Sequence, residues 1–359
     1  MGKKKRFQAE TEQQHEENPL NSVSELINGE DISDEPKKKK KRKKEQQHEN
    51  ISDKFTPTVS IAIPSSIIGN AQSHELATRL AGQIARAATI YRIDEVVVFD
   101  NNGCSMDDPT TVGTSEGDKS HAAFFIRVLR YLETPQYLRK SLFTKHSGLR
   151  FVGLLPPLDA PHHLRKHEWA SYREGVTLEE KAPNFVGTMV DVGLDQNVAI
   201  DKALGPGIRI TVAMGTDRDL STGKLHQVVQ STTPREEEGM YWGYKVRYAP
   251  NLSSVIDNCS YEGGYDYMIG TSEHGKVVKS SELSIPPFRH LLIAFGGLAG
   301  LEECIEKDKK LKGKHAQVVF HSYLNLCPHQ GSRTIRSEEA VFIALQYFQE
   351  PIDRALQKG

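Results

Sequence analysis

Two stretches that alternate strand and helix flank a stretch that does neither, and this order constrains the fold more than any other feature of the chain. Val59-Ser60-Ile61-Ala62-Ile63-Pro64 reads as a short strand ended by proline. Ser73 is placed to cap a helix over about 74–91, with Leu76, Leu80, Ile84 and Ala87 at helical spacing. Glu95-Val96-Val97-Val98-Phe99-Asp100 is an apolar, β-branched run of the kind buried on both faces of a parallel sheet. A polar loop follows, then helices are expected over 121–132 and 136–143, and Phe151-Val152-Gly153-Leu154-Leu155 reads as a third strand. The character then changes. Runs at 184–193, 198–200, 208–213, 223–230 and 241–248 alternate polar and apolar residues between Gly, Pro and Asp, the pattern of a small antiparallel barrel. The first pattern returns with strands at 265–270, 290–295 and 318–324 and helices at 298–306 and 337–348. The expectation is one α/β domain interrupted by a β-barrel insert. Its segments are a tail (1–56), a first α/β half (57–168), the insert (169–250) and a second α/β half (251–350).

A chain of 359 residues has room for two such folded units. Lys and Arg total 46 against 47 Asp and Glu, so overall charge does not point to a polyanionic partner. Its distribution is more informative. The first 55 residues are highly charged and poor in aromatics, and cannot bury enough apolar surface to offset chain entropy, so disorder is expected there. Basic runs at 3–6 and 37–44 read either as solvated tail or as a nuclear or nucleolar import signal that also holds RNA phosphates. No secretory core or apolar run of about 20 residues is visible, so a soluble protein of the nucleus or nucleolus, with some in the cytoplasm and no membrane partner, is expected. Cys104, Cys259, Cys304 and Cys327 form no C-x-x-C pair, and neither a metal site nor a disulfide framework is indicated.

Three loops follow the last three strands: G-T-S-E-H-G at 270–275, G-G-L-A-G-L-E at 296–302 and N-L-C-P-H-Q-G-S-R-T-I-R at 325–336. Ligands of open α/β sheets bind beyond the carboxyl ends of the strands, so these loops are placed to share one ligand. The glycine cluster alone fits a tight turn equally well. The third loop is more specific, because it gathers polar side chains and turn formers between a buried strand and an apolar helix. Ser337 is the expected cap of that helix, with Glu338 and Glu339 suiting its first turn.

Taken in order, the three loops resemble the cofactor site of the SPOUT superfamily of RNA methyltransferases. The likeness is to the eukaryotic and archaeal branch that carries an OB-like insert, whose animal members are also described as centromere- and spindle-associated. It extends over most of 58–348, including Asn70-Ala71-Gln72-Ser73, Ala81-Gly82-Gln83-Ile84-Ala85-Arg86, Pro135-Gln136-Tyr137-Leu138-Arg139-Lys140, Pro161-His162-His163 and Tyr241-Trp242-Gly243-Tyr244. The resemblance implies an α/β fold tied in a deep trefoil knot, S-adenosylmethionine as cofactor, and a homodimer formed through the knot. By motif position the cofactor would lie against Thr271, His274, Gly296, Gly300, Leu301, Asn325, Gln330, Ser332 and Thr334, with Leu298 and Ile335 as apolar wall. The implied partner is RNA, with ribosomal RNA foremost. A mitotic interaction protein that binds spindle or kinetochore proteins is the alternative.

The resemblance also offers Arg86 as the catalytic residue, stabilising the anion left when the nucleophile loses its proton; an ordinary helix-surface ion pair is the competing reading. Leu80 stands where the 2′-O-methylating branch has asparagine, and Ser332-Arg333-Thr334 replaces its Ser-Leu-Asn. Both departures move the expected target from a ribose hydroxyl to a base nitrogen, uridine N3. For RNA contact the candidates are Arg139, Lys140, Trp242, Lys245, Arg247, Arg333 and Arg336. Trp242 has a second reading, as filling of the barrel core. The adjacent histidines 162 and 163 lack a third ligand and are not read as a metal site.

Overall fold

A computed structural model describes residues 56–101, 120–181, 187–220 and 223–358. The charged tail with its basic runs, and the polar loop after 101, lie outside the described residues. The central sheet is built from β1 (Thr58–Pro64), β2 (Glu95–Phe99), β8 (Lys245–Ala249), β9 (Tyr267–Val277), β10 (His290–Ala294) and β11 (Ser322–Asn325). Their order is β11-β9-β10-β1-β2-β8 and every neighbouring pair is parallel. Successive side chains of a strand point to opposite faces, and the core divides accordingly. Ile61, Ile63, Val96, Val98, Leu291 and Ile293 pack under α1 (His74–Ile90), α2 (His121–Glu133) and α8 (Ser337–Leu356). Ala62, Val97, Phe99, Leu292 and Ala294 face α5 (Leu252–Asp257), α6 (Gly300–Lys307) and α7 (Ala316–Val319). The continuous apolar character of these strands therefore comes from burial on both faces.

The insert is a closed barrel of β3 (Tyr172–Lys181), β4 (Thr188–Asp191), β5 (Val198–Ile200), β7 (Leu225–Val229) and β6 (Arg209–Ala213), in that order. All its ladders are antiparallel except β5–β7. Val190, Val192, Ile200, Ile210 and Val212 fill it. It sits at the amino-terminal edge of the central strands. Arg235, on α4 (Thr233–Glu238), donates to the Pro57 carbonyl and pairs with Asp94. Tyr241 Oη donates to Ile93 O at 3.0 Å.

Three expectations are corrected and one strand is added. The run Phe151 to Leu155 is not a strand: Val152–Leu154 is a 3-10 turn, Leu154 is exposed, and the place beside β2 is taken by β8. The run 241–248 is not a barrel strand, because Lys245–Ala249 forms that sheet edge. β3 was not anticipated, since its sequence Tyr-Arg-Glu-Gly buries charge: Arg173 is fully buried, with Nε 2.6 Å from Val192 O. The strand expected over 318–324 splits, since Val318 and Val319 close the short α7 and only Ser322–Asn325 is extended. Among the described residues, no helix is long and apolar enough to cross a membrane.

Candidate active site

β9 pairs with β11 at Ile269 and Gly270, then again at Lys276 and Val277, while β11 advances without a gap from Ser322 to Asn325. Residues 271–275 are thereby pushed out of the ladder as a long bulge within β9, toward the sheet's carboxyl end. A Cβ on Gly275 would meet Leu324 C at 2.3 Å and Asn325 N at 2.6 Å, so the two backbones close on each other at the loop's base. The second loop closes equally tightly. Gly300 has φ +77°, its N–H donates to Gly297 O at 3.1 Å, and a Cβ on Gly296 would sit 2.3 Å from Gly300 C. Only glycine tolerates both demands. The third loop leaves β11 through Asn325, whose Oδ1 accepts from Cys327 N at 3.0 Å and whose Nδ2 donates to Glu273 O at 2.8 Å. Ser337, expected as a cap, instead donates from Oγ to Gly296 O at 3.2 Å, tying the third loop's end to the second. Arg336 is the capping residue, and its N–H is held by the Glu339 carboxylate at 2.9 Å.

The three loops enclose a cavity of about 360 Å³, within the range of about 300–1,000 Å³ usual for small-molecule sites. Of the residues read as cofactor contacts, Thr271, His274, Gly296, Gly300, Asn325, Gln330 and Thr334 line it, together with Leu298 and Ile335. Leu301 does not: it is fully buried in the core beneath α6. Ser332 is not on the wall either; its hydroxyl donates to Thr334 O at 2.9 Å and shapes the loop. Among the lining residues not anticipated are Ser272, Glu273, Glu302, Ala340 and Ile343. The first three lie in loops already singled out, and Ala340 and Ile343 share the α8 face that helical spacing would have indicated. Glu302 accepts from Ser272 Oγ at 3.1 Å and lies 2.9 Å from His274 Nδ1. Burial would raise its carboxyl, but the neighbouring hydroxyls of Tyr323 and Ser272, a backbone N–H and His274 together hold it below the usual carboxylate range.

Arg86 does not reach this pocket within the chain. It lies on α1 just before the helix's last turn, and Nη1 donates to Leu158 O at 2.8 Å and Pro157 O at 3.1 Å. The RNA candidates are also divided. Arg333 and Arg336 are exposed beside the pocket, the latter 2.6 Å from the Glu338 carboxylate. Lys140 and Lys245 are exposed on the other side of the molecule. Three candidates are used internally. Arg139 donates to Thr134 O at 2.9 Å and Leu132 O at 3.1 Å, and its guanidinium lies over the Tyr131 ring. Trp242 is buried, its Nε1–H 2.6 Å from Glu174 Oε1. Arg247 pairs with the buried Glu95 carboxylate at 2.9 Å. Buried cations and indoles are retained where acceptors meet most of their donors; of the Arg247 guanidinium, Nε and Nη2 are bonded and the buried Nη1 has no partner. His162 and His163 both lie on Glu133, and among the described residues no group of three His, Cys, Asp or Glu side chains stands ready for a metal.

Residues 58–348 match the family model described as "Putative RNA methyltransferase". The chain belongs to this RNA methyltransferase family. It is 47% identical over 302 residues to the human protein named 28S rRNA (uridine-N(3))-methyltransferase, covering 83% of this chain and 79% of the human one. A Drosophila melanogaster protein of the same name is 44% identical over 309 residues, which are 84% of this chain and 64% of the fly protein. The match over 58–348 spans the three loops and the inserted barrel.

Proposed function

We propose that this protein uses S-adenosylmethionine to methylate N3 of a uridine in large-subunit ribosomal RNA. The observation that carries the reading is the three-loop pocket at the strand ends, in a chain that shares 47% identity with a protein named for this reaction. The cavity suits the cofactor. Gly296 and Gly297 leave a cradle that Cβ atoms would fill, the second of them 3.1 Å from Ser66 Oγ. Leu298, Ala299 and Ile335 offer apolar surface, and Glu302 offers negative charge. Asn325 and Gln330 spend their side-chain amides on loop carbonyls, Gln330 Nε2 on Ser332 O at 3.0 Å, so backbone groups remain to hold the ligand. When bound, the cofactor supplies a methyl group on a positively charged sulfur. The chain's part is to hold donor and uridine in line and to keep water out. In the same reading the third loop belongs to a trefoil knot, the barrel is OB-like, two copies pair through the knotted region, and the basic runs of the tail direct the protein to the nucleus. The mitotic alternative draws no support from the geometry of the site.

A methyl at N3 blocks Watson–Crick pairing, so reverse transcription stops there. Large-subunit RNA from cells lacking the protein is expected to lose one such stop and to regain it on incubation with enzyme and cofactor. Ala299→Trp, which fills the cavity from an exposed loop position, is expected to lose cofactor binding in calorimetry while melting like wild type. Methylation at a ribose, or no change in large-subunit RNA, overturns the proposal.

A further inference from the structure

Uridine N3 begins as an imide N–H, and its electron pair becomes available for methylation only as that proton leaves. One pair of side chains on the pocket wall is arranged as a base with an orienting carboxylate. His274 Nδ1 lies 2.9 Å from Glu302 Oε1, and Ser272 Oγ donates to the same oxygen at 3.1 Å. An ionised carboxylate only accepts, so the imidazole presents Nδ1–H to it and leaves the Nε2 lone pair free of that contact. The side chain is 72% exposed, and a second carboxylate, that of Glu273, lies 3.9 Å from Nε2. Both supports are stiff. Glu302 stands in the first turn of α6, above the buried Leu301 and Ile305. The His274 loop is closed at its base by Gly275 and tied internally by its own N–H, 3.2 Å from Ser272 Oγ.

We propose that His274 is the general base that takes the N3 proton and that Glu302 is the positioning residue that fixes its tautomer, an assignment that rests on the uridine-N3 reading. The proton passes from N3 to Nε2. The N3 electron pair forms the new bond to the methyl carbon as the carbon–sulfur bond breaks toward sulfur, which leaves as a neutral thioether. The imidazolium, stabilised between Glu302 and Glu273, then returns its proton to water. The competing role for an exposed histidine on this wall is simple contact with the cofactor, and the test separates the two.

The full-length protein without cofactor or RNA is expected to show His274 as the Nδ1–H tautomer in nitrogen-correlated NMR, and Glu302→Gln to mix the tautomers. In single-turnover transfer at saturating cofactor, His274→Ala is expected to slow methylation by about 100-fold or more, with cofactor affinity near wild type. Added imidazole restores part of the rate. RNA carrying 5-fluorouridine, whose imide is more acidic, shrinks the deficit because less help is needed to remove the proton. Glu302→Gln falls between wild type and His274→Ala. A wild-type rate in His274→Ala, an equal deficit on both RNAs, or a loss explained by cofactor affinity each overturns the dyad. If the wild-type enzyme methylates another atom, the proposed function falls and the dyad with it; N3 methylation that survives His274→Ala removes the dyad alone.

Discussion

Gly275 and Arg86 show how a single residue's part is set by what lies against it. A methyl group added at Gly275 meets backbone atoms of Leu324 and Asn325, which cannot swing aside as a side chain would. Gly275→Ala is therefore expected to cost about 1–3 kcal/mol in denaturant unfolding and to weaken cofactor binding by opening the loop base. Gly331→Ala, with no atom within 4 Å of the added carbon, is expected to leave both unchanged. Arg86 was legible as a cation in a family motif, but its guanidinium serves the carbonyls of Pro157 and Leu158. Arg86→Ala is expected to lower stability by about 1–2 kcal/mol and to leave cofactor affinity intact. Lost transfer at unchanged stability would restore its catalytic role.

At the scale of elements, the barrel is held to the α/β domain by charge buried at the end of α2. Arg209 on β6 reaches Glu133 Oε2 and Glu174 Oε2, each at 2.6 Å, and His162 Nε2 lies 3.0 Å from Glu133 Oε1. Removing Arg209 strands two buried carboxylates, so Arg209→Met is expected to cost about 3–5 kcal/mol in chemical unfolding. The joint is also expected to be acid-labile. Burial would raise the Glu133 carboxyl, but Arg209 and His162 hold it far below the usual range. Burial, with His162 beside it, pushes His163 down to about 4, while its Nε2 lies 2.6 Å from Glu133 O. Both folded values lie below the unfolded ones, so the stabilisation is complete above the ordinary histidine range and is lost as pH falls. Histidine accounts for the loss between about pH 6.5 and 4, and Glu133 for the loss below that. Melting temperatures across pH 7 to 4 check this: the fall should flatten in His163→Gln, and an unaltered fall would remove His163 from the account.

Across the whole molecule, the pocket and the barrel occupy opposite ends of the central sheet. The seven residues of β1 span roughly 20 Å at about 3.3 Å each. Arg333 stands at the pocket end, while Lys140 and Lys245 stand toward the barrel. An RNA that touches both ends must reach along the sheet. Arg333→Ala and Lys245→Ala are then expected to weaken RNA binding additively, because the sites are too far apart to couple. Each should reduce the slope of log affinity against log salt by about 1, with cofactor affinity unchanged. Filter binding over a salt series measures this, and a slope unmoved by Lys245→Ala would leave the barrel side out of the RNA path.

The amino-acid sequence by itself determined the elements whose pattern is local. These include the doubly buried strands β1, β2 and β10, the helix capped by Ser73, and the glycines that let three loops close on one cavity. It also carried the family, because the loops hold their order along the chain. Tertiary structure alone decided what depends on distant partners. Lys245–Ala249 has the alternation of a barrel strand, yet it pairs with β2 because that sheet edge would otherwise lack a partner. Trp242 and Arg247 look like RNA contacts until Glu174 and Glu95, more than 60 residues away in sequence, accept their hydrogen bonds. Leu301 looks like pocket wall until the α6 turn points it into the core. The physical reason is the same in each case: side-chain chemistry is written at one position, but burial and hydrogen-bond partners are set only when the chain brings remote positions together.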